Sequence, residues 1–312
     1  MSISTEQGKK ILFAGLDNAG KTSIILSLSR EFDKLDDLQP TKGNEIKIFN
    51  FLGMLISEWD LGGQKVYRQV HLREHSRQIF GGATSLIFVI DIQDLNRTEE
   101  AYEYLTEIVN QLKKLNVHPK LFIFFHKFDP LPSITVKEHM TNVSLQLRNR
   151  IKEIDYPNIS YYRTSIYDLK TILIAMSKIL LAESPKSEVI RATIQDFGKK
   201  TDYDSVELID DNSLLLATYY RNKYTKELMN AVTPYFLQVN DIFKRASVPV
   251  DYEETAENEM MLNKFGKFFL FRTFLLKKGV SNYYILNCKK DSNFDKEELE
   301  LFISVMKEIL SS

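Results

Sequence analysis

The sequence predicts an α/β fold: a mostly parallel six-stranded sheet with helices on both faces, followed by an α+β unit with an antiparallel sheet. Three observations carry this expectation. Over the first ~180 residues, short apolar runs alternate with stretches of helical spacing, as a parallel sheet built from strand–helix units requires. Two of those runs, SLIFVIDI (85–92) and LFIFFH (121–126), are apolar throughout, as strands buried on both faces should be. Beyond residue 187 the order changes to helix, two strands, helix, three strands, helix.

In chain order, ILFAGL (11–16) reads as a strand and Lys21–Arg30 as a helix. EIKIFNF (45–51) alternates with period two, and MLISEWD (54–60) follows across Leu52-Gly53, which predicts a β-hairpin. Between the two wholly apolar runs, Thr98–Leu115 has helical spacing, with Ala101, Leu105, Ile108 and Leu112 on one side. SYYRTS (160–165) is a last strand and Leu169–Leu181 a last helix. Composition shifts at ESPKS (183–187), so domains of 1–183 and 187–312 are expected. In the second, Glu188–Phe197 reads as a helix, SVELID and SLLLATYY as strands around Asp210-Asp211-Asn212, and Tyr224–Arg245 as a long amphipathic helix. Glu259–Phe265, Lys267–Lys277 and Tyr283–Lys289 read as three strands with Gly266 and Gly279 at the turns, before a final helix Phe294–Leu310.

Composition narrows the function classes. A chain of 312 residues, 44% hydrophobic, buries substantial cores. A net charge of −1 implies no bulk attraction to nucleic acid or an anionic membrane. A single cysteine, Cys288, excludes an intrachain disulfide and fits a reducing, cytoplasmic setting. No apolar run approaches the ~20 residues of a membrane span. Ser2 excludes myristoylation and the ILSS tail is no prenylation box, so membrane attachment is expected only through a partner.

Three motifs carry chemistry. Gly15 to Thr22, GLDNAGKT, is G-x-x-x-x-G-K-[ST] between a strand and a helix. Its glycines permit backbone closed to other residues, so the amides of Asp17, Asn18, Ala19, Gly20, Lys21, Thr22 and Ser23 can turn toward an anion at the helix's positive end. Lys21 supplies charge for the β- and γ-phosphates, and the Thr22 hydroxyl can ligate Mg²⁺. WDLGGQ (59–64) ends the MLISEWD strand. Asp60 is placed to hold Mg²⁺ through a water, Gly63 can offer its amide to a γ-phosphate, and Gln64 can orient a water for in-line attack. Pro40-Thr41 lies in a polar segment before the hairpin, where Thr41 can close over metal and γ-phosphate. HKFD (126–129) ends the LFIFFH strand. Asp129 can accept hydrogen bonds from guanine N1–H and N2–H₂, donors adenine lacks. The Lys127 stem can lie over the base with its ammonium reaching the phosphate loop. His126 can donate from one ring nitrogen and accept at the other, tying the base reader to that loop. Thr164-Ser165-Ile166 would close the pocket, with the Ser165 amide on the guanine carbonyl oxygen.

GLDNAGKT, PTKG and WDLGGQ resemble the Arf branch of the Ras-like small GTPases. HKFD, RTSIYD (163–168) and RQIF (77–80) resemble the Rag/Gtr GTPases, whose base-reading motif also begins with His where the wider family has Asn. The resemblance covers about residues 9–182. Over 187–312 it rests on element order alone, similar to the roadblock or longin-type module fused to Rag proteins. It implies a Ras-like G domain, GTP or GDP with Mg²⁺, and slow intrinsic hydrolysis dependent on an activating partner. It also implies an exchange factor, and a homodimer or a heterodimer with a related GTPase or roadblock/longin protein. The phosphate loop offers no evident arginine in cis, and Asp17 stands where it can repel a γ-phosphate; Arg68, Arg73 or Arg77 could serve instead.

Two other readings stay open: a constitutive nucleotide-bound scaffold, and an ATP-using P-loop enzyme, against which Asp129 argues. His71-Leu72-Arg73-Glu74-His75 has the H-x-x-E-H spacing of a zinc helix, but it lies among cations in the expected helix after WDLGGQ, and a solvated or partner-facing helix is the expectation. Cys288 is expected to be a buried small side chain. Tyr235, Phe236 and Phe243 are expected in the core, and Asn222, Lys223, Lys226, Lys244 and Arg245 on a solvated face.

Overall fold

A computed structural model describes residues 8–28, 34–35, 38–52, 54–130, 133–245, 259–276 and 282–311. The expectations at Arg30, Gly53 and Gly279 lie outside these residues, as do those for the side chains of Phe243, Lys244 and Arg245. The chain divides into two compact units, 1–175 and 176–312, the division falling inside the helix Leu169–Leu181, upstream of ESPKS.

The first unit runs β1 (Lys9–Gly15), α1 (Lys21–Leu28), β2 (Asn44–Phe51), β3 (Met54–Leu61), α2 (Lys65–Leu72), α3 (Ser76–Phe80), β4 (Ala83–Asp91), α4 (Thr98–Leu115), β5 (Lys120–His126), α5 (Ile134–Ile151), β6 (Ser160–Arg163) and α6 (Leu169–Leu181). The six strands lie in the order β2-β3-β1-β4-β5-β6. β2 pairs antiparallel with β3, as the hairpin required, and every other pairing is parallel. β1, β4 and β5 occupy the middle of the sheet and are nearly all buried, which is why their sequences are apolar without alternation. α4 buries Ala101, Leu105, Ile108 and Leu112 as its spacing predicted, and adds Tyr104 and Val109.

α5 is absent from the sequence reading. It starts at Ser133, whose hydroxyl accepts from the Val136 amide, and buries Met140, Val143, Ser144, Leu147 and Ile151. Its periodicity is blurred because Ile134, Val136 and Leu145 are apolar yet exposed.

The second unit continues with α7 (Ser187–Lys200), β7 (Ser205–Asp210), β8 (Leu215–Tyr220), α8 (Lys223–Arg245), β9 (Glu259–Lys264), β10 (Lys267–Leu275), β11 (Asn282–Lys289) and α9 (Lys296–Ser311). Its sheet, β8-β7-β11-β10-β9, is antiparallel throughout. One face packs on α8 through Met229, Val232, Phe236 and Leu237 against Phe269, Phe271, Tyr284 and Leu286. The opposite face carries Arg272, which pairs with Glu300 of α9, and Tyr219, whose ring lies against Gly198 of α7. Phe197 of α7 and Phe302 of α9 stack at 4.0 Å between ring centroids. Phe236 is core as expected, but Tyr235 is 69% exposed, a correction. One residue along a helix turns the side chain by roughly 100°, and Tyr235 points away from the sheet. Cys288 is buried, and its thiol is pushed up to about 12 by burial and nearby Asp204, far from a nucleophile's range.

Candidate nucleotide site

Parallel strands place their carboxyl ends at one edge, where open α/β sheets bind ligands. Here those ends carry Gly15 after β1, Leu61 to Gln64 after β3, Asp91 to Arg97 after β4, His126 to Asp129 after β5 and Thr164 to Ile166 after β6. Every sequence-predicted site residue on these strand ends is thereby brought to one rim.

At the phosphate loop, Asn18 has φ of 59° and Gly20 of 92°. Ala19 is buried, Asn18 exposed, and Ser23 half-buried in the first turn of α1. The Lys21 ammonium donates to the Gly15 and Leu16 carbonyls at 3.2 and 2.9 Å. Burial lowers its pKa to about 8, although Asp60 and Asp17 pull the other way. A ligand bringing negative charge would reverse that penalty.

Three oxygens converge beside it. The Thr22 hydroxyl donates to Asp60 Oδ2 at 2.5 Å, Thr41 Oγ1 lies 3.0 Å from Thr22 Oγ1, and Thr41 donates to the same Asp60 oxygen at 3.2 Å. Asp60 is 3% exposed, and its second oxygen, Oδ1, is buried without a hydrogen-bond partner. Burial raises its carboxyl above the ordinary range despite Lys21 and both hydroxyls. One carboxylate with an orphaned oxygen and two hydroxyls fits Mg²⁺, a hard cation held by few protein oxygens and completed by water and phosphate.

Gly63 touches the loop directly: a Cβ there would fall 2.2 Å from the Asp17 amide nitrogen. Gln64 follows as the N-cap of α2, exposed, its side chain making no cap bond. The two histidines of the H-x-x-E-H stretch part company: His71 is buried and hydrogen-bonds toward Gly43, while His75 is exposed. The expectation of a solvated helix face fails at His71 and also at Arg68, which is buried over the Tyr104 ring and paired with Glu100. Among the described residues, no cluster of three His, Cys, Asp or Glu side chains is arranged to hold a metal.

At the other end, His126 is 1% exposed. Its Nδ1 lies 2.9 Å from Thr164 Oγ1, and the far side of its ring lies against Gly20, where a Cβ would fall 2.5 Å from Cδ2. One imidazole thus joins the phosphate loop to the segment after β6. Burial, with Lys127 beside it, lowers its pKa to about 4, so the ring is neutral near pH 7. Asp129 Oδ1 accepts from the Ser165 hydroxyl at 2.5 Å and Oδ2 from Gln93 Nε2 at 2.8 Å. A carboxylate offers about four acceptor positions, so two remain for a base.

A family model described as the Gtr1/RagA G protein conserved region matches residues 10–256. The chain is a small GTPase of the Gtr1/RagA family. It is 26% identical over 199 residues to GTP-binding protein GTR1 of Saccharomyces cerevisiae, across 62% of this chain and 63% of that protein, less than two thirds of the latter's length. ADP-ribosylation factor-like protein 3 of Chlamydomonas reinhardtii is 35% identical over 142 residues, across 45% of this chain and 75% of that protein. The solved Arl6 BBS3 small GTPase of Trypanosoma brucei with bound GppNp covers 53% of this chain and 91% of its own at 18% identity, with a TM-score of 0.39. As a member of this family the chain is a GTP-binding small GTPase.

In this Gtr1/RagA protein, three expectations need correction. The Ser165 amide donates to Thr171 Oγ1 at 3.0 Å and is not free for a guanine carbonyl; half-buried Ile166 is the next residue of the loop. The Lys127 ammonium does not reach the phosphate loop: with φ of 60°, Lys127 turns toward Asp91 and pairs with it at 2.7 Å. Finally, an arginine does meet the loop in cis. Arg97, just ahead of α4, donates to Asp17 Oδ1 at 2.7 Å and to the Asp17 carbonyl at 3.3 Å. Burial alone would raise the Asp17 carboxyl, but the bond and charge from Arg97 outweigh it and hold the group below its ordinary range.

Asp91, Gln93, Arg97 and Thr171 were missed in the sequence reading. The first three follow the apolar run of β4, so the rule that ligands gather at strand carboxyl ends flags that stretch. Nothing in local spacing links Arg97 to a residue 80 positions earlier.

Proposed function

We propose that this protein is a GTP-hydrolysing switch whose on-state is the closure of Thr41 and Gly63 around a Mg²⁺-bound triphosphate. The observation that carries this reading is the meeting of Thr22, Thr41 and Asp60 within 3.2 Å. Thr41 is 19 residues from either partner and lies in the loop before β2, so it is the member of the trio that a Mg²⁺-bound triphosphate would hold in place. Bound there, Mg²⁺ would neutralise charge on the phosphate oxygens. Thr22 and Asp60 would hold it, Thr41 would cover it, and Lys21 would leave its two carbonyls for the phosphate tail. Gln64, exposed beside Gly63, is free to orient a water. Asp129 would read guanine N1–H and N2–H₂ while His126 keeps that reader in register with the loop.

Hydrolysis should be slow in the pure protein, because buried Arg68 is committed to Glu100 and Asp17 stands where its carboxylate repels the γ-phosphate. An arginine from an activating protein typically adds ~10³–10⁵ in rate. Single-turnover hydrolysis of bound GTP tests the reading, with Gln64→Leu as control: slow hydrolysis that falls further in the variant supports it. A second reading, a nucleotide-bound scaffold, draws on the same commitment of Arg68; no measurable Gln64-dependent hydrolysis, even with candidate activators, favours it.

The second unit's order, α-β-β-α-β-β-β-α, is the one expected for a roadblock or longin-type module, and its exposed surfaces suit pairing. α8 exposes Tyr235, Val239 and Ile242, and the edge strand β9 exposes Met261 and Leu262. We assign dimerisation to this unit. On the same reading the protein is cytoplasmic and reaches membranes through partners; no helix among the described residues is long and apolar enough to cross one. Val239→Glu with Ile242→Glu should convert a dimer to a monomer in size-exclusion mass measurements, and an unchanged mass would refute the assignment.

A further inference from the structure

Asp17 is an odd residue to place beside a triphosphate, since a carboxylate there repels the γ-phosphate. The structure gives it a neutralising partner and connects that partner onward. Arg97 Nη2 holds the Asp17 carboxylate at 2.7 Å while its Nε holds Glu100 Oε2 at 3.0 Å. The other Glu100 oxygen accepts from Arg68, which is buried in α2 over Tyr104. α2 begins directly after Gly63-Gln64, and the Gly63 backbone packs on the Asp17 amide. The chain of contacts therefore closes on itself: Asp17, Arg97, Glu100, Arg68, α2, Gly63, Asp17.

We propose that the Asp17–Arg97 pair senses the third phosphate and passes its presence to α2, with Arg97 the positioning residue. The inference rests on the reading of the rim as a GTP site. A diphosphate leaves Arg97 on Asp17. A triphosphate brings one to two further negative charges against Asp17 and would offer Arg97 a more strongly charged partner. Arg97 swings toward it, its grip on Glu100 changes, and Glu100 remains wholly for Arg68. The two arrangements, Arg97 on Asp17 or on phosphate, form the bistable element such coupling needs. Both side chains are about a third exposed, 32% for Arg97 and 40% for Asp17, so they have room to exchange partners.

The chain has one tryptophan, Trp59, next to Asp60 and with the Lys10 ammonium 3.6 Å over its ring. Its fluorescence reports the rim without a label. The test measures affinities of full-length protein for GDP and for non-hydrolysable GppNHp with Mg²⁺, and compares Trp59 emission in the two complexes. In Arg97→Gln, the affinity ratio of GppNHp to GDP should fall at least tenfold, because Asp17 is left to repel the γ-phosphate. Arg97→Lys should recover part of it. Asp17→Asn with Arg97→Gln should restore the ratio to within threefold of wild type yet lose the difference in Trp59 emission. Equal losses for both nucleotides in Arg97→Gln, or an emission difference that survives in the double variant, would overturn the proposal alone. Wild-type protein that binds neither nucleotide would overturn the GTP reading itself and this inference with it.

Discussion

The two ends of the nucleotide rim are built from different materials. The phosphate end is made of backbone and absences: Gly20 at φ of 92°, Gly63 without room for a Cβ, and one lysine resting on two carbonyls. The base end is made of side chains bonded to one another around buried His126, Thr164 and Ser165: His126 with Thr164, half-buried Asp129 with Ser165 and exposed Gln93, Lys127 with Asp91. The first should fail when something is added, the second when something is removed. They meet at one contact, the His126 ring on Gly20.

The largest effect should come from breaking that contact by addition. Gly20→Ala puts a Cβ 2.5 Å from His126 Cδ2 in a backbone conformation that favours glycine. Strain and overpacking each cost about 1–3 kcal/mol, so denaturant titration should show a loss of about 4 kcal/mol, with GDP binding weakened at least ~100-fold. His126→Ala attacks the same contact by removal. It leaves a cavity and orphans the Thr164 hydroxyl, for about 2–4 kcal/mol. His126→Asn keeps a polar group in reach and should cost about 1 kcal/mol. Equal losses in the two variants would show that the His126–Thr164 bond does not matter.

A smaller effect should follow pH. The folded pKa of His126, about 4, lies below its ordinary 6.5. As pH falls the unfolded chain takes up the proton first, so this contribution is complete above about pH 6.5 and is lost on descending toward pH 4. The slope is at most ~1.4 kcal/mol per pH unit. His71, also lowered by burial, acts in the same direction. His126→Asn should flatten the slope between pH 6.5 and 5 without abolishing it. The smallest effect belongs to Gln64→Leu, which should leave GDP affinity within twofold, because the Gln64 side chain is exposed and makes no cap bond, while slowing hydrolysis.

The same contrast explains what was legible in the sequence. The phosphate end was readable from GLDNAGKT and WDLGGQ because backbone geometry and glycine spacing are local. The mostly parallel six-stranded sheet followed from apolar runs and helical spacing for the same reason. His126 was assigned its bridging role only because it stood in a motif. Its partners, like Gln93 on Asp129 and Arg97 on Asp17, come from strands and loops dozens of residues apart, and side-chain pairing at that range leaves no periodic trace. α5 was missed for a different cause: exposed Ile134, Val136 and Leu145 erase the polar face that marks an amphipathic helix.

The central claim is that Asp129 selects guanine from two remaining acceptor positions while the loop around Lys21 holds the phosphates. Replacing Asp129 by Asn tests it most directly, in competition titrations of GTP, ATP and xanthosine triphosphate. Guanine's N1–H keeps the amide oxygen but its N2–H₂ meets a donor in place of an acceptor, whereas the carbonyl that xanthine carries at C2 gains a donor. GTP affinity should fall at least ~100-fold and xanthosine triphosphate should become the preferred ligand. Unchanged GTP affinity in the variant, or tighter binding of ATP than of GTP by the wild-type protein, would contradict the account.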